Sequence, residues 1–562
     1  MKRLCYALLA LLTVQLPASA QQADVRTTTT KIADLLALQP SETSVRLDEA
    51  MKQMERFTAN DISALLTQLS PPGEGNNAGI EYATNSYSYY VLAAGKSQQR
   101  ATFIEGAIDG LSKLTNRDNK GFVIQLLQNA GDDRAVDALS KYLTDTYLNE
   151  KAARALARIG TESAGSVLVQ ALEQQEGESA IPLIDALGFM AYGPAEKAIL
   201  VKATSSETSL RRIALYALSQ IGGDESQSLL AEAAQAAEYR YEPTQATAAY
   251  INYLNKRISG GDREAARKAA TKLFNAASQP DQVHTRIAAL GLLTQVDKEG
   301  QTKALIKASR DKNTVYRNAA LGLLSSFLND GITQKLVSRL SKADTSVQVD
   351  ILRYAAAHQQ SVAIPEVRKG LNSPSVTVRN AAAEALHQLD PAGADETLIS
   401  LLSESESETR QTIKQILLTS KNPSLTNMVT DALKEEKNAD VQVLLIEVLG
   451  HRGAGDSMPI ILDLIGEESK AVKDAAFKVL PKIARQEDLG KILDLLTDVN
   501  ESYIGSVQNA AIASVKYGND RNAQIHSVIS RFQGAKKKQQ IFFFPIFSGL
   551  GGEDALKVVA DY

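Results

Sequence analysis

The sequence predicts an all-α protein, an α-solenoid of stacked helical hairpins behind an irregular helical N-terminal cap. Three observations lead there. Apolar residues recur with helical spacing in units of about thirty-one residues, alanine dominates the first helix of each unit and leucine the second, and one cysteine in 562 residues leaves packing alone to hold the fold.

The stretch Val378 to Leu402 shows the unit. Val378, Ala381, Ala382, Ala385, Leu386 and Leu389 form one apolar stripe of a helix. Pro374 stands just before it, and Pro391 with Gly393 breaks it. Leu398, Leu401 and Leu402 then mark a second helix. The same phase returns at Arg286, Arg317, Gln348, Arg379, Arg410, Gln442 and Lys473, in steps of 31, 31, 31, 31, 32 and 31 residues. Looser units surround Arg154, Arg212 and Gln508, and the 74 residues from Arg212 to Arg286 hold two units. Self-similarity gives roughly fourteen hairpins over 119–562, most regular over 281–500. One hairpin of this length cannot bury its own stripe, so neighbours must supply the core. The Arg/Gln/Lys column is expected to pair with acids or carbonyls of adjoining repeats rather than to grip a ligand.

These segments, above all "KAARALARIG" and "VRNAAAEALHQL", resemble short-type HEAT repeats. The resemblance implies a superhelical scaffold that binds a protein or other macromolecule, with second helices lining its concave surface.

The chain opens on Lys2-Arg3, an apolar stretch from Leu4 to Leu16, and Ala18-Ser19-Ala20. This is the pattern of a cleaved signal peptide over 1–20, with an apolar core too short to span a bilayer. It implies export to a periplasmic or extracellular space. Cys5 lies inside that leader. Removing Lys2 and Arg3 takes the formal net charge from −4 to about −6, which argues against nucleic-acid binding. No later apolar run approaches membrane-spanning length.

Residues 21–118 do not follow the repeat and are expected to cap it. Their "PPG-x-G-x-N…EYA…SYSYYV" run is similar to the leading segment of exported Bacteroidetes-type proteins. In those, a HEAT array precedes a C-terminal 3-keto-disaccharide hydrolase domain. The alternative function this implies is the HEAT portion of a keto-glycoside hydrolase, positioning a catalytic domain not found in these residues. Tyr82, Tyr87, Tyr89 and Tyr90, with Tyr239 and Tyr241 further on, form the candidate interaction surface. Hairpin packing is the competing account of these tyrosines, as it is of Tyr250 and Tyr253.

No catalytic, cofactor or metal residues are assigned. Gly95-Lys96-Ser97 lacks the earlier glycine of a phosphate loop, since position 90 is Tyr. Gly73, Gly75 and Gly79 miss the dinucleotide spacing by one residue. His284, His358, His387, His451 and His526 show no metal-ligand pairing. The acidic run Ser403 to Glu408 is expected to be a solvated face, and Lys536 to Lys538 a linker. At the end, Ile541–Leu550, Gly551-Gly552 and 553–562 spell one more hairpin, with Pro545 an anomaly in its first helix. A partner domain, covalently joined or not, is expected over that last apolar stripe.

Overall fold

The computed structural model describes residues 25–466, 469–516 and 520–561; the leader with Cys5 lies outside them. Helices account for all regular structure among the described residues. The chain divides into two compact units, Met1–Val296 and Asp297–Tyr562.

The first unit begins with helices whose ends are written in the sequence. Thr27, Thr43 and Thr58 each accept a backbone N–H of the first turn, and Thr58 with Asp61 closes a capping box. Asp61 is buried, and the ammonium of Lys31 donates to it at 2.9 Å and Thr28 Oγ1 at 2.5 Å. Ala59–Leu66 packs tightly on Ser97–Lys113. A Cβ at Gly106 would stand 2.6 Å from the carbonyl oxygen of Ala59, so this crossing requires glycine.

Hairpins follow in register. First helices run Arg117–Ala130, Asn149–Ile159, Ile181–Phe189, Thr208–Ile221, Ala246–Ser259 and Val283–Val296. The long stretch between Arg212 and Arg286 therefore holds two units, as expected. In the second unit the first helices include Thr314–Ser325, Thr345–Ala357, Val376–Leu389, Ser407–Thr419, Ala439–His451, Lys470–Ile483 and Ile504–Lys516. Successive first helices pack on one another more extensively than successive second helices do. Small side chains favour such close packing: Ala381, Ala382 and Ala385 are all buried, and in the first unit Gly188 lies directly against Ala217 of the next first helix.

The column is structural. Arg317, 1% exposed, donates to Asp350 of the next layer at 2.7 and 2.5 Å and to the Asp311 carbonyl at 2.6 Å. Arg379 holds the Ser373 carbonyl and Glu406, and Arg410 the Leu402 carbonyl and Asp440. Gln348 and Gln442 keep the carbonyl bond, to Ala343 and Glu436. Gln508 donates to the Phe542 carbonyl of the following layer. In the first unit the expected positions need correcting. Arg154 and Arg212 are exposed, whereas Asn149 and Arg211 turn inward. The phase is set by buried Leu156 and Leu218, each of which follows its column residue as Leu386 follows Arg379.

The final hairpin also forms. Ile541–Phe543 is a 3₁₀ turn, and Pro545 sits in the first turn of Phe544–Leu550, where its missing N–H costs nothing. Phe532 meets Phe543 and Phe547 edge-on, 6.0 and 5.5 Å between centroids. Gly551 and Gly552, at φ +62° and +99°, turn the chain into Glu553–Asp561.

Three outcomes follow. Leu386 is fully buried, so Leu386→Asp places a charge in a layer core and should abolish cooperative thermal unfolding of the second unit, read by circular dichroism. Arg317→Met should cost about 3 kcal/mol in urea titration, because Asp350 is left half-buried and unpaired. Burial opposes the charge on Asp61, but hydrogen bonds from Thr28, Lys31 and Thr58 outweigh it and hold the carboxyl below its usual range. The folded form thus binds its proton later than the unfolded chain as pH falls. Its stabilisation is complete above pH of about 4 and is lost as pH drops through the lower folded value. In Asp61→Asn, that part of the acid-side decline should vanish from the pH dependence of melting.

Candidate interaction surface

A trough of about 680 Å³ runs along the first helices of the first unit. Each successive layer contributes the same helical positions. One row reads Arg154, Asp185, Tyr216; the next reads Asn129, Arg158, Phe189, Gln220. Tyr89 and Leu92 close one end. The floor is low because Ala157 and Ala186 occupy it, both buried. Its walls are apolar yet solvated: Phe189 is 71% exposed, and Tyr89, Leu92 and Tyr216 are also exposed. Tyr216 is shared with a smaller recess that continues to Arg212, Thr244 and Asn252.

The polar groups are only partly engaged with each other. Arg154 donates to Glu150 at 2.5 Å, within its own helix. Asn129 donates to Ser88 Oγ at 3.0 Å, which ties the first repeat to Ala78–Tyr90. Among the described residues no carboxylate lies within ion-pair distance of Arg158. The trough therefore offers exposed aromatic faces, amides and a guanidinium, a set suited to binding and without a nucleophile poised beside a base.

All its lining helices are first helices or the cap, so second helices do not form this surface. The trough lies open because small residues such as Ala157 and Ala186 separate its outward side chains.

The predicted tyrosines separate. Tyr87 is a core residue, not a surface one: it continues the inward face of Ile80 and Ala83, stacks 5.8 Å from Tyr90 and meets Phe103 edge-on. Burial pushes its phenol well above the ordinary range. Tyr90 is half-buried, donates to Glu55 and lies under the Lys96 ammonium. Tyr82 and Tyr89 are exposed, and Tyr89 alone of the six lines the trough. Tyr239 is half-buried with φ +57°, its carbonyl taken by Thr285, while Tyr241 is 87% exposed. Tyr250 and Tyr253 are core, and burial raises the Tyr253 phenol to about 12. Sequence reasoning missed Phe189, Tyr216, Leu92 and Arg158. The signal was present: in the repeat register Phe189 falls where Arg158 and Gln220 stand, an aromatic at a solvent-facing position.

The histidines do not converge. His358 packs on Tyr354, and His387 lies 3.9 Å from the buried Asp395 carboxylate. Among the described residues no group of three or more His, Cys, Asp or Glu is placed to hold a metal ion. No helix among them is long and apolar enough to cross a membrane.

Residues 104–187 and 333–417 match the family model for HEAT repeats; the first match opens inside Ser97–Lys113, before the cap boundary expected at residue 118. No curated protein matches the sequence. Solved structures with similar helix arrangements include importin beta crystallised in an ammonium sulfate condition, at 12% identity over 94% of this chain and 84% of that one, TM-score 0.37. A Kap95:Nup1 complex aligns at 11% identity over 95% and 84%, TM-score 0.40. An engineered protein aligns at 20% identity over 81% and 98%, TM-score 0.20. The protein is an all-helical solenoid of stacked hairpins that carries HEAT repeats in both of its units.

Proposed function

We propose that the protein is an exported, non-catalytic HEAT-repeat scaffold that binds a partner protein through the trough of its first unit. The observation that carries this reading is the row of exposed apolar side chains, Tyr89, Leu92, Phe189 and Tyr216, on successive layers of one surface. Large rigid aromatics with a polar fringe are the residues that dominate protein–protein binding energy. Several layers also give the length for a linear segment of a partner to lie across the helices. Export rests on the leader-like residues 1–20 and places the partner in the periplasm or outside the cell.

A second reading, the HEAT portion of a keto-glycoside hydrolase, draws on the N-terminal resemblance. It is also supported by Glu553–Asp561, where Leu556 and Val559 stay exposed on the last hairpin. A catalytic domain packed there would cover them. Mass spectrometry of the protein from its native source separates the readings: a mature chain starting at Gln21 with the mass of this sequence supports the scaffold. A much heavier chain favours the hydrolase.

For the trough itself, a photo-crosslinking residue at Phe189 should capture a partner protein in the native cell envelope. Capture through Tyr89 should be lost in Tyr216→Ser, with melting unchanged. Crosslinks arising from exposed Val201 on a second helix, and none from Phe189, would overturn the assignment.

A further inference from the structure

The second unit has a recess of different chemistry on its other row of helices. It is a cleft of about 540 Å³ between the second helices Pro391–Ser400 and Leu425–Glu435. Val441 and Leu445 of Ala439–His451 form its floor, and Ile399, Met428 and Ala432 its walls. Floor and walls are apolar, but every charged side chain lining the cleft is a carboxylate: Glu396, Glu435 and Glu436.

One of these charges is built in. The Glu436 carboxylate accepts the backbone N–H groups of Lys437 and Asn438, at 2.8 and 2.7 Å, and the hydroxyl of Ser403. Burial works against its charge, yet these donors, with the Arg410 guanidinium nearby, keep its carboxyl below the usual range, so it stays ionised at neutral pH. Its own carbonyl is tied to Gln442, which leaves the residue little freedom. Glu396 and Glu435 are exposed and free to follow a ligand.

We propose that this cleft docks a cationic amphipathic segment of a partner protein, its apolar side chains filling the recess and its Lys or Arg side chains meeting Glu396, Glu435 and Glu436. The complementarity is what selects the occupant. An apolar floor rewards burial, while a rim of one sign steers opposite charge toward it and repels an acidic segment or an anionic lipid surface. The surface is separate from the trough and lies in the other compact unit, so it stands whether or not the trough is a binding site.

The test uses fluorescein-labelled synthetic peptides with the full mature chain, read by anisotropy. A Lys/Leu peptide should bind, and its affinity should fall as salt rises. A Glu/Leu peptide and a Lys/Ser peptide should each bind at least tenfold more weakly. Glu396→Lys with Glu435→Lys should weaken the Lys/Leu peptide at least tenfold without changing the melting temperature, and Met428→Ser should weaken it independently. Phe189→Ser should leave it unchanged. Failure of the Lys/Leu peptide to bind, equal binding of the acidic peptide, indifference to the charge reversals, or loss of binding in Phe189→Ser would each overturn the assignment.

Discussion

Every layer of this protein depends on its neighbours for a core, and the packing that makes this work is that of successive first helices, whose buried faces carry small side chains. Residues such as Ala381, Ala382 and Ala385 carry too little surface to drive folding individually. Their value is geometric, since a small side chain lets two helix backbones approach and gives leucines of the second helices a narrow gap to fill. Leu386 and Leu398, both fully buried, are the first- and second-helix leucines of one hairpin. A hairpin removed from the stack would expose all of this, which is why the repeat has to be read as an array and not as a set of small domains.

Polar groups then lock the layers in register. Gln508 reaches forward to the Phe542 carbonyl, but from Arg317 to Gln442 the column residue of each unit reaches back to a carbonyl in the loop before its own helix. Where it is arginine, it also reaches forward to an acid of the next layer, as Arg317 does to Asp350. Glutamine retains the first bond and gives up the second, so the Gln348 and Gln442 layers lose an ion pair without leaving a carbonyl unsatisfied. Other arginines do the same at helix ends: Arg100 donates to the Ala130 and Gly131 carbonyls, Arg310 to those of Leu336 and Ser338, and Arg452 to those of Ser420 and Asn422. These carbonyls would otherwise end their helices unpaired.

Much of this was legible in the sequence because the forces involved are periodic. The stripe through Val378 and Leu386, the turn at Gly551-Gly552 and the inward role of the column all follow from spacing. Pro545 looked anomalous only until the helix start moved to Phe544, where proline is favourable. The misplacement of the column at Arg212 has a definite cause: adjacent arginines, Arg211-Arg212, fit the pattern almost equally, and only the buried leucine that follows fixes the phase; at Arg154 the column position is held by Asn149, a residue type outside the Arg/Gln/Lys pattern. Tyrosines were harder, because an aromatic residue suits either core or surface. Tyr87 and Tyr89 are two residues apart and point to opposite fates on one helix.

The trough shows why the proposed binding surface is the least legible part of such an array. The stripe and the column consume the positions that stability needs and leave the outward ones unconstrained. Along the second unit some outward positions pair between layers: Arg353 with Glu384 one layer on, and Lys414 with Glu447. Along the first unit the outward rows carry Arg154, Asp185 and Tyr216, and Asn129, Arg158, Phe189 and Gln220, and Arg154 bonds to Glu150 of its own helix. Similar helical positions thus carry ion pairs between layers in one unit and exposed aromatics in the other. The binding chemistry proposed for this protein resides in departures from its repeat, and an exposed Phe189 in a row of polar residues is the clearest of them.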